Sequence, residues 1–256
     1  MRKQTIDTKM VNNQKTPNFS GLFGVLFLIL AGLIFINSGI FAIRNVTVKG
    51  NQLVPVEDIL FAAHLNRYKN IFQVDTAKIQ QEIVRNPQIA SVKISRIFPN
   101  KIELLIKERR PVCLLLYLGN LLIIGEDSVL MGVKDENDPI DLPIVTGVQL
   151  KKAKIGGKVT GERFKTALKI LKLADDDIGP MISEINPVNL QLYLDPPNSA
   201  HTVKVDLGAD LALEKKIYNL RAILSHTSPD ELEKIDLRVA DLPTIIKLKK
   251  PIKNKP

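Results

Sequence analysis

Residues 21–43 read GLFGVLFLILAGLIFINSGIFAI and contain no charged side chain. Wound as a helix at 1.5 Å per residue, this stretch reaches about 34 Å, enough to cross the hydrocarbon core of a bilayer. More than 200 residues follow it, so the rest of the chain reads as a body tethered to one membrane face. The flanks indicate which face. Arg2, Lys3, Lys9 and Lys15 precede the stretch against the single acid Asp7, and the positive-inside rule places residues 1–20 in the cytoplasm. Arg44 and Lys49 weaken that bias, but a long folded domain crosses largely regardless of its charge. The rival reading is a cleaved signal peptide, with an apolar region of about 7–15 residues and a small-residue cleavage site. The run Leu22–Ile36 sits at the upper edge of that length, more apolar residues follow it, and Ser38–Gly39 could mimic the site. An uncleaved anchor is the preferred reading. Gly21, Gly24, Ala31, Gly32 and Gly39 would allow close helix packing, but their spacing forms no clean motif and a lipid-facing anchor is favoured.

Outward from the anchor, residues 44–110 read as a β-α-α-β-β unit. Val46 and Val48 alternate with polar neighbours, Gly50–Asn51 turns the chain, and Pro55 suits a helix start before Val56, Ile59, Leu60 and Ala63. A loop is expected to carry Ile71, Phe72 and Val74 inward. Asp75 suits the cap of a second helix with Ile79 and Ile83 on one face, stopped at Asn86–Pro87. Ala90, Val92 and Ile94, then Ile102, Leu104 and Ile106, alternate as two strands joined through Phe98–Pro99–Asn100. Two helices on one face of a three-stranded sheet would bury all three apolar rows.

Residues 111–248 are richer in strands. Val112–Leu118 and Leu121–Ile124 flank a tight Gly119–Asn120 turn, and Leu142–Val145 is a short strand. Thr160 is expected to cap a helix with Phe164, Ala167, Leu168 and Leu171 on its face. Leu190–Leu194 and Val203–Leu207 form a hairpin, and a helix follows with Leu213, Ile217, Leu220 and Leu224 inward. Ser228–Glu231 has capping-box spacing for a third short helix. Two last strands are expected at Ile235–Val239 and Thr244–Leu248, then a basic, disordered tail over 249–256. The fold class is therefore α+β: a cytoplasmic tail at 1–20, a transmembrane helix at 21–43, the β-α-α-β-β domain at 44–110 and a strand-rich domain at 111–248.

The chain carries a formal net charge of +9, one cysteine, three histidines and no tryptophan. Basic balance often signals nucleic acid, but a location outside the cytoplasm argues against it; a soluble basic surface, anionic headgroups or wall polymers fit better. One cysteine excludes an intrachain disulfide, and Cys113 in an apolar strand reads as a small buried hydrophobe rather than a Cys–His nucleophile. His64, His201 and His226 have no ligands at metal spacing. The run Asp175–Asp177 reads as a solvated helix end before a cation site, and Gly156, Gly157 and Gly161 follow no strand that would make them a phosphate cradle. Ser38 lacks a lysine at compelling spacing, and Arg44 cannot act as a base. No catalytic, cofactor-binding or metal residue is expected.

What remains is a surface for other proteins. Consecutive Ile245 and Ile246 put apolar groups on both faces of the last strand, which either closes the domain's own sheet or accepts a partner strand. At this point the chain resembles the FtsQ/DivIB family of bacterial cell-division proteins. The likeness rests on Val46–Asn51, Ile71–Asp75, Pro87–Val92, Arg96–Ile102, Glu108–Pro111, Leu142–Gly147 and Ile235–Arg238, in order, over residues 20–248. Two departures stand out: Ser128 where the family usually has a glycine, and Val239 where it often has an aromatic residue.

The resemblance implies a POTRA domain followed by a β domain, and a non-enzymatic scaffold at the division septum of the inner membrane. Such a scaffold recruits and regulates septal peptidoglycan synthesis by binding small bitopic FtsB-like and FtsL-like proteins alongside other divisome membrane proteins. Carried over by position, the FtsB-like partner would meet Arg238, Val239, Thr244, Ile245, Ile246, Lys247 and Leu248, with Leu220 and Leu224 of the preceding helix. Ile246→Pro and Ile245→Asp are the expected disruptive substitutions. The alternative is a membrane-anchored POTRA adaptor in secretion or another envelope process.

Overall fold

The computed structural model describes residues 19–65, 69–135, 137, 141–150, 152–197 and 201–248, with only the backbone at Phe19, Ser20, Asp175 and Asp176. Residues 1–18 of the expected cytoplasmic tail and the expected basic tail at 249–256 lie outside these residues, while Phe19 and Ser20 already belong to the first helix. Two compact units emerge: Met1–Thr47 with Leu65–Asp75 and Ser95–Glu103, and Val48–His64 with Thr76–Ile94 and Leu104–Pro256.

Helix α1 (Phe19–Ile36) is apolar all round, and a short 3₁₀ turn at Gly39–Phe41 follows it. Its leucines and isoleucines, and Phe23, Phe27 and Phe35, are exposed. That suits a lipid-bathed helix, because a helix apolar on every side needs an apolar surround.

Strands β1 (Asn45–Lys49), β2 (Ile89–Ile97) and β3 (Lys101–Glu108) form a sheet in the order β1-β3-β2. Helices α2 (Val56–Ala63) and α3 (Thr76–Val84) lie between β1 and β2 in sequence and pack on each other. The expected β-α-α-β-β order is present. Pro55 sits at the cap position, one residue before the helix. Ile59, Ala63, Ile79, Ile83, Val92, Leu104 and Ile106 are buried, as their spacing requires. Gly50 has φ +83, and a Cβ there would strike the Ile106 carbonyl oxygen, so the turn after β1 needs glycine.

The second sheet has nine strands in the order β12-β11-β10-β9-β8-β7-β4-β5-β6. In chain order they are β4 (Pro111–Tyr117), β5 (Asn120–Gly125), β6 (Leu130–Val133), β7 (Ile144–Val145), β8 (Ile182–Asn186), β9 (Gln191–Leu194), β10 (Val203–Asp206), β11 (Leu232–Asp236) and β12 (Thr244–Lys247). Helix α4 (Glu162–Ile178) connects parallel β7 and β8, and α5 (Leu213–His226) connects parallel β10 and β11. Parallel neighbours need such crossovers. The core brings together Cys113, Leu115 and Ile124 of the sheet, Phe164, Ala167, Ile170 and Ala174 of α4, and Leu213, Ile217 and Leu220 of α5.

Several local expectations shift. The β4–β5 turn is Leu118–Gly119, with φ 49 and 80, rather than Gly119–Asn120. Helix α4 starts at Glu162, after Gly161, and turns Ile170 and Ala174 inward while Leu168 and Leu171 are only partly buried. Ser228 makes no side-chain cap bond, and Pro229–Glu231 is a single 3₁₀ turn. Phe72 is not buried; it is 45% exposed beside buried Ile71 and Val74.

Candidate functional site

Strand β12 ends the nine-stranded sheet, so one of its sides has no strand neighbour among the described residues. It pairs antiparallel with β11: Asp236 opposite Thr244, Ile235 opposite Ile245 and Lys234 opposite Ile246, with a bulge before Leu232 meets Lys247. All four residues of β12 are exposed. The Leu248 N–H donates to the Glu231 carbonyl at 2.9 Å. Donors alternate sides along an antiparallel ladder, so the Ile246 N–H also turns toward β11. The N–H groups of Ile245 and Lys247 then face outward. A proline at Ile246 would therefore break the domain's own ladder, and the position that isolates the outer edge is Ile245.

The connection from β11 to β12 is held firmly. The Asp236 carboxylate accepts from the Arg238 backbone N–H at 3.0 Å and from its guanidinium at 2.7–3.0 Å. The Arg238 side-chain hydrogen bonds, with its charge, hold Asp236 below its ordinary range, against a smaller rise from burial. Asn219 of α5 donates to the Ala240 carbonyl at 2.6 Å, and Lys215 of α5 pairs with Asp241. Val239 and Leu242 point away from this anchorage, 56% and 74% exposed. Lys247 pairs with Glu231 at 2.9 Å. Arg238, Val239, Thr244, Ile245, Ile246, Lys247 and Leu248 thus share one rim of the sheet. Leu220 does not join them: it is fully buried in the core, and Leu224 packs against that core from the same helix.

The end of the first sheet is joined to the start of the second by polar groups that sequence reading passed over. Arg109, only 6% exposed, donates from Nε to Asp127 at 2.9 Å and from Nη1 to the Pro87 carbonyl, while its backbone N–H meets Gln88 O at 2.7 Å. A Cβ at Gly125 would collide with the Arg109 methylenes. Ser128, at the departure from the family pattern, has φ 68, the left-handed region that glycine enters most easily. Glu108 accepts from the backbone N–H groups of Gln52, Leu53 and Val54 at 2.8–2.9 Å. Burial raises its pKa, but the three donors together outweigh that and leave it below 4.5. Nothing short of the fold shows that Glu108 reaches a turn more than 50 residues away.

The catalytic alternatives find no support in geometry. Cys113 is fully buried, and desolvation pushes its thiol up to about 12. The Ser38 hydroxyl is buried without a hydrogen-bond partner among the described residues, whereas a serine nucleophile needs a base bonded to it. His201 Nε2 contacts the Leu232 carbonyl at 2.7 Å. Asp177 is bound by Arg221; the side chains of Asp175 and Asp176 lie outside the described residues. A groove of about 900 Å³ beside Arg110, Asp141, Leu168 and Lys172 holds no nucleophile with a partnered base. Among the described residues no three or more His, Cys, Asp or Glu are grouped to hold a metal.

The family model described as "POTRA domain, FtsQ-type" matches residues 41–109, the span of β1, α2, α3, β2 and β3. Residues 41–109 are a POTRA domain of the FtsQ type. The chain is also 25% identical over 192 residues to the cell division protein DivIB of Clostridium acetobutylicum, covering 75% of this chain and 69% of that protein. It is 27% identical over 219 residues to the cell division protein DivIB of Clostridium botulinum, covering 82% of each. The cell division protein FtsQ of Syntrophotalea carbinolica is 27% identical over 165 residues, 64% of this chain and 57% of that protein. The kinship with FtsQ/DivIB proteins read from the sequence is shown by these matches, and the names of the relatives support a role in cell division. One apolar span, Gly21–Phe41, precedes the POTRA domain. With those relatives it describes a single-pass membrane protein with a strand-rich domain after the POTRA domain.

Proposed function

We propose that this protein is a non-catalytic scaffold of the divisome. In this reading its N-terminus lies in the cytoplasm, the POTRA domain (44–110) and β domain (111–248) lie outside it, and the molecule works at the septum. It captures a small bitopic FtsB-like protein, with an FtsL-like protein and other divisome membrane proteins alongside, and so recruits and regulates septal peptidoglycan synthesis.

The observation that carries this reading is the outer side of β12. Its outward N–H and C=O groups form a ready template for one added strand. Exposed Ile245, Ile246 and Leu248, at 38%, 46% and 38%, supply apolar contacts, and Arg238 and Lys247 supply charge at the rim. Val239 and Leu242 extend the apolar surface along the preceding turn. The tethered turn supports the strand without covering its edge, which favours capture at low ordering cost.

The direct test is capture from membranes by the full chain, with identification of the small bitopic proteins that come down. Recovery of an FtsB-like protein by the wild type and its loss with Ile245→Pro is the expected outcome. Equal recovery with both would contradict the assignment. A fluorescent fusion should gather at the septum; even labelling of the envelope would count against a division role.

A further inference from the structure

Four phenylalanines run from the membrane helix into the base of the POTRA domain. Phe35 meets Phe41 edge-on with ring centroids 5.4 Å apart. Phe41, the last residue of the apolar span, lies 5.1 Å from Phe72, and Phe72 lies 5.2 Å from Phe98. Hydrogen bonds fix the same neighbourhood. Asn70 Nδ2 donates to the Ile36 carbonyl at 2.7 Å, the Ile43 N–H to Lys69 O at 3.0 Å, and the Arg44 N–H to Asn100 O at 3.0 Å. All of these residues belong to one compact unit, so the 69–73 segment and the turn at 97–100 are held at the exit of the helix.

Their outer surface is apolar: Ile40, Phe72, Ile97 and Phe98 are 52%, 45%, 40% and 56% exposed. Arg44, Lys69 and Arg96 are exposed beside them in sequence. Asp75 and Glu103 are the described acids in the same stretches of this unit. Phenylalanine and aliphatic side chains with neighbouring cations are the composition of surfaces that lie in the membrane boundary, where the apolar groups enter the headgroup–acyl layer and the cations meet anionic lipid. A bilayer, rather than a soluble partner, suits this surface because the surface is continuous with the membrane span itself: Phe41 ends that span and touches Phe72.

We propose that the 69–73 segment and the 97–100 turn form a membrane-docking foot, with Phe72 and Phe98 set into the interfacial layer of the bilayer that holds α1. The POTRA base would then be fixed on the lipid surface by two contacts, the helix and the foot, instead of swinging on a single tether. This inference rests on the membrane span and not on the β12 edge.

The chain has no tryptophan, so Phe98→Trp and Phe72→Trp each introduce a single indole reporter, and Phe27→Trp provides a reference within the helix. Each full-length variant is reconstituted in phosphatidylcholine/phosphatidylglycerol vesicles, with or without bromine in the acyl chains. Loss of indole emission in the brominated vesicles at Phe98 or Phe72, with protection from aqueous iodide, is the expected result. Undiminished emission at both positions, while the Phe27 reference is quenched, would overturn the proposal.

Discussion

Ile235 and Ile245 face each other across the β11–β12 ladder, yet Ile235 is fully buried and Ile245 is 38% exposed. Leu232 and Ile235 of β11 are sealed in the core, while every residue of the neighbouring β12 is open to solvent. In the free protein, the amide hydrogens of Ile246 and Leu248 should exchange more slowly than those of Ile245 and Lys247. Adding the partner should slow Ile245 and Lys247 selectively. Hydrogen exchange read at residue level by NMR checks both; protection confined to α5 would point to another surface.

Glu108 should give the chain a measurable pH dependence. Its carboxylate is held below 4.5 in the fold by three backbone donors, so the unfolded chain takes up the proton first. The stabilisation is present above that ordinary value and fades as pH falls through the folded value. Glu108→Gln should cost about 1–2 kcal/mol at neutral pH. The loss should shrink in acid, measured by urea unfolding at a series of pH values. A difference independent of pH would mean that the charge is not what holds the Gln52–Val54 turn.

Arg109 is buried while Asp127 is 39% exposed. Asp127→Asn leaves a buried guanidinium short of its counter-charge, and the cost should be about 1–3 kcal/mol, below that of a fully buried pair because water reaches the carboxylate. Arg109→Lys should not restore stability, since an ammonium cannot reach Asp127 and the Pro87 carbonyl in the geometry of a planar fork. Thermal unfolding of the two variants tests both statements.

Cys113 should behave as packing, not chemistry. With its thiol pushed up to about 12 and fully buried, it should react with a thiol reagent at mildly alkaline pH only as fast as the fold opens. Mass spectrometry of labelled protein gives that rate. Cys113→Ser should still complement loss of the gene, as should Ser38→Ala, although the serine at 113 places a hydroxyl in an apolar strand at about 1–3 kcal/mol.

The elements that sequence revealed best are those with unbroken periods. Helices α2 and α3 and strands β2 and β3 keep helical or two-residue spacing, and the structure buries Ile59, Ala63, Ile79, Ile83, Val92, Ile102, Leu104 and Ile106, while Leu60, Ala90 and Ile94 are only partly buried and Val56 is exposed. Bulges account for much of what was hidden. In β8 the buried residues Ile182 and Ile185 are three apart, because the register slips between Ile182 and Glu184. In β11 the same slip separates Leu232 from Ile235, and the expected strand consequently lay three residues too far along, at Ile235–Val239. The short strand β6 is interrupted by Gly132 and carries little pattern of its own. At the candidate site, the strand Thr244–Leu248 was legible, but the turn that Asp236 and Arg238 hold was read as strand, and the burial of Leu220 was not seen: a helical face tells which residues group together and not which side meets a partner. The exposure of Phe72 was equally invisible, because an apolar loop residue looks the same whether it faces a core or a membrane.

The most direct test of the scaffold reading is the affinity of the full-length chain for its FtsB-like partner, compared between wild type and Ile245→Pro in the same lipid environment. Ile245 sits where an edge strand tolerates proline, and the substitution removes a donor that faces away from the domain. Binding should weaken at least about tenfold, equivalent to about 1.4 kcal/mol, with the unfolding midpoint and circular dichroism of the protein unchanged. Wild-type affinity in a folded Ile245→Pro variant would contradict strand addition at β12.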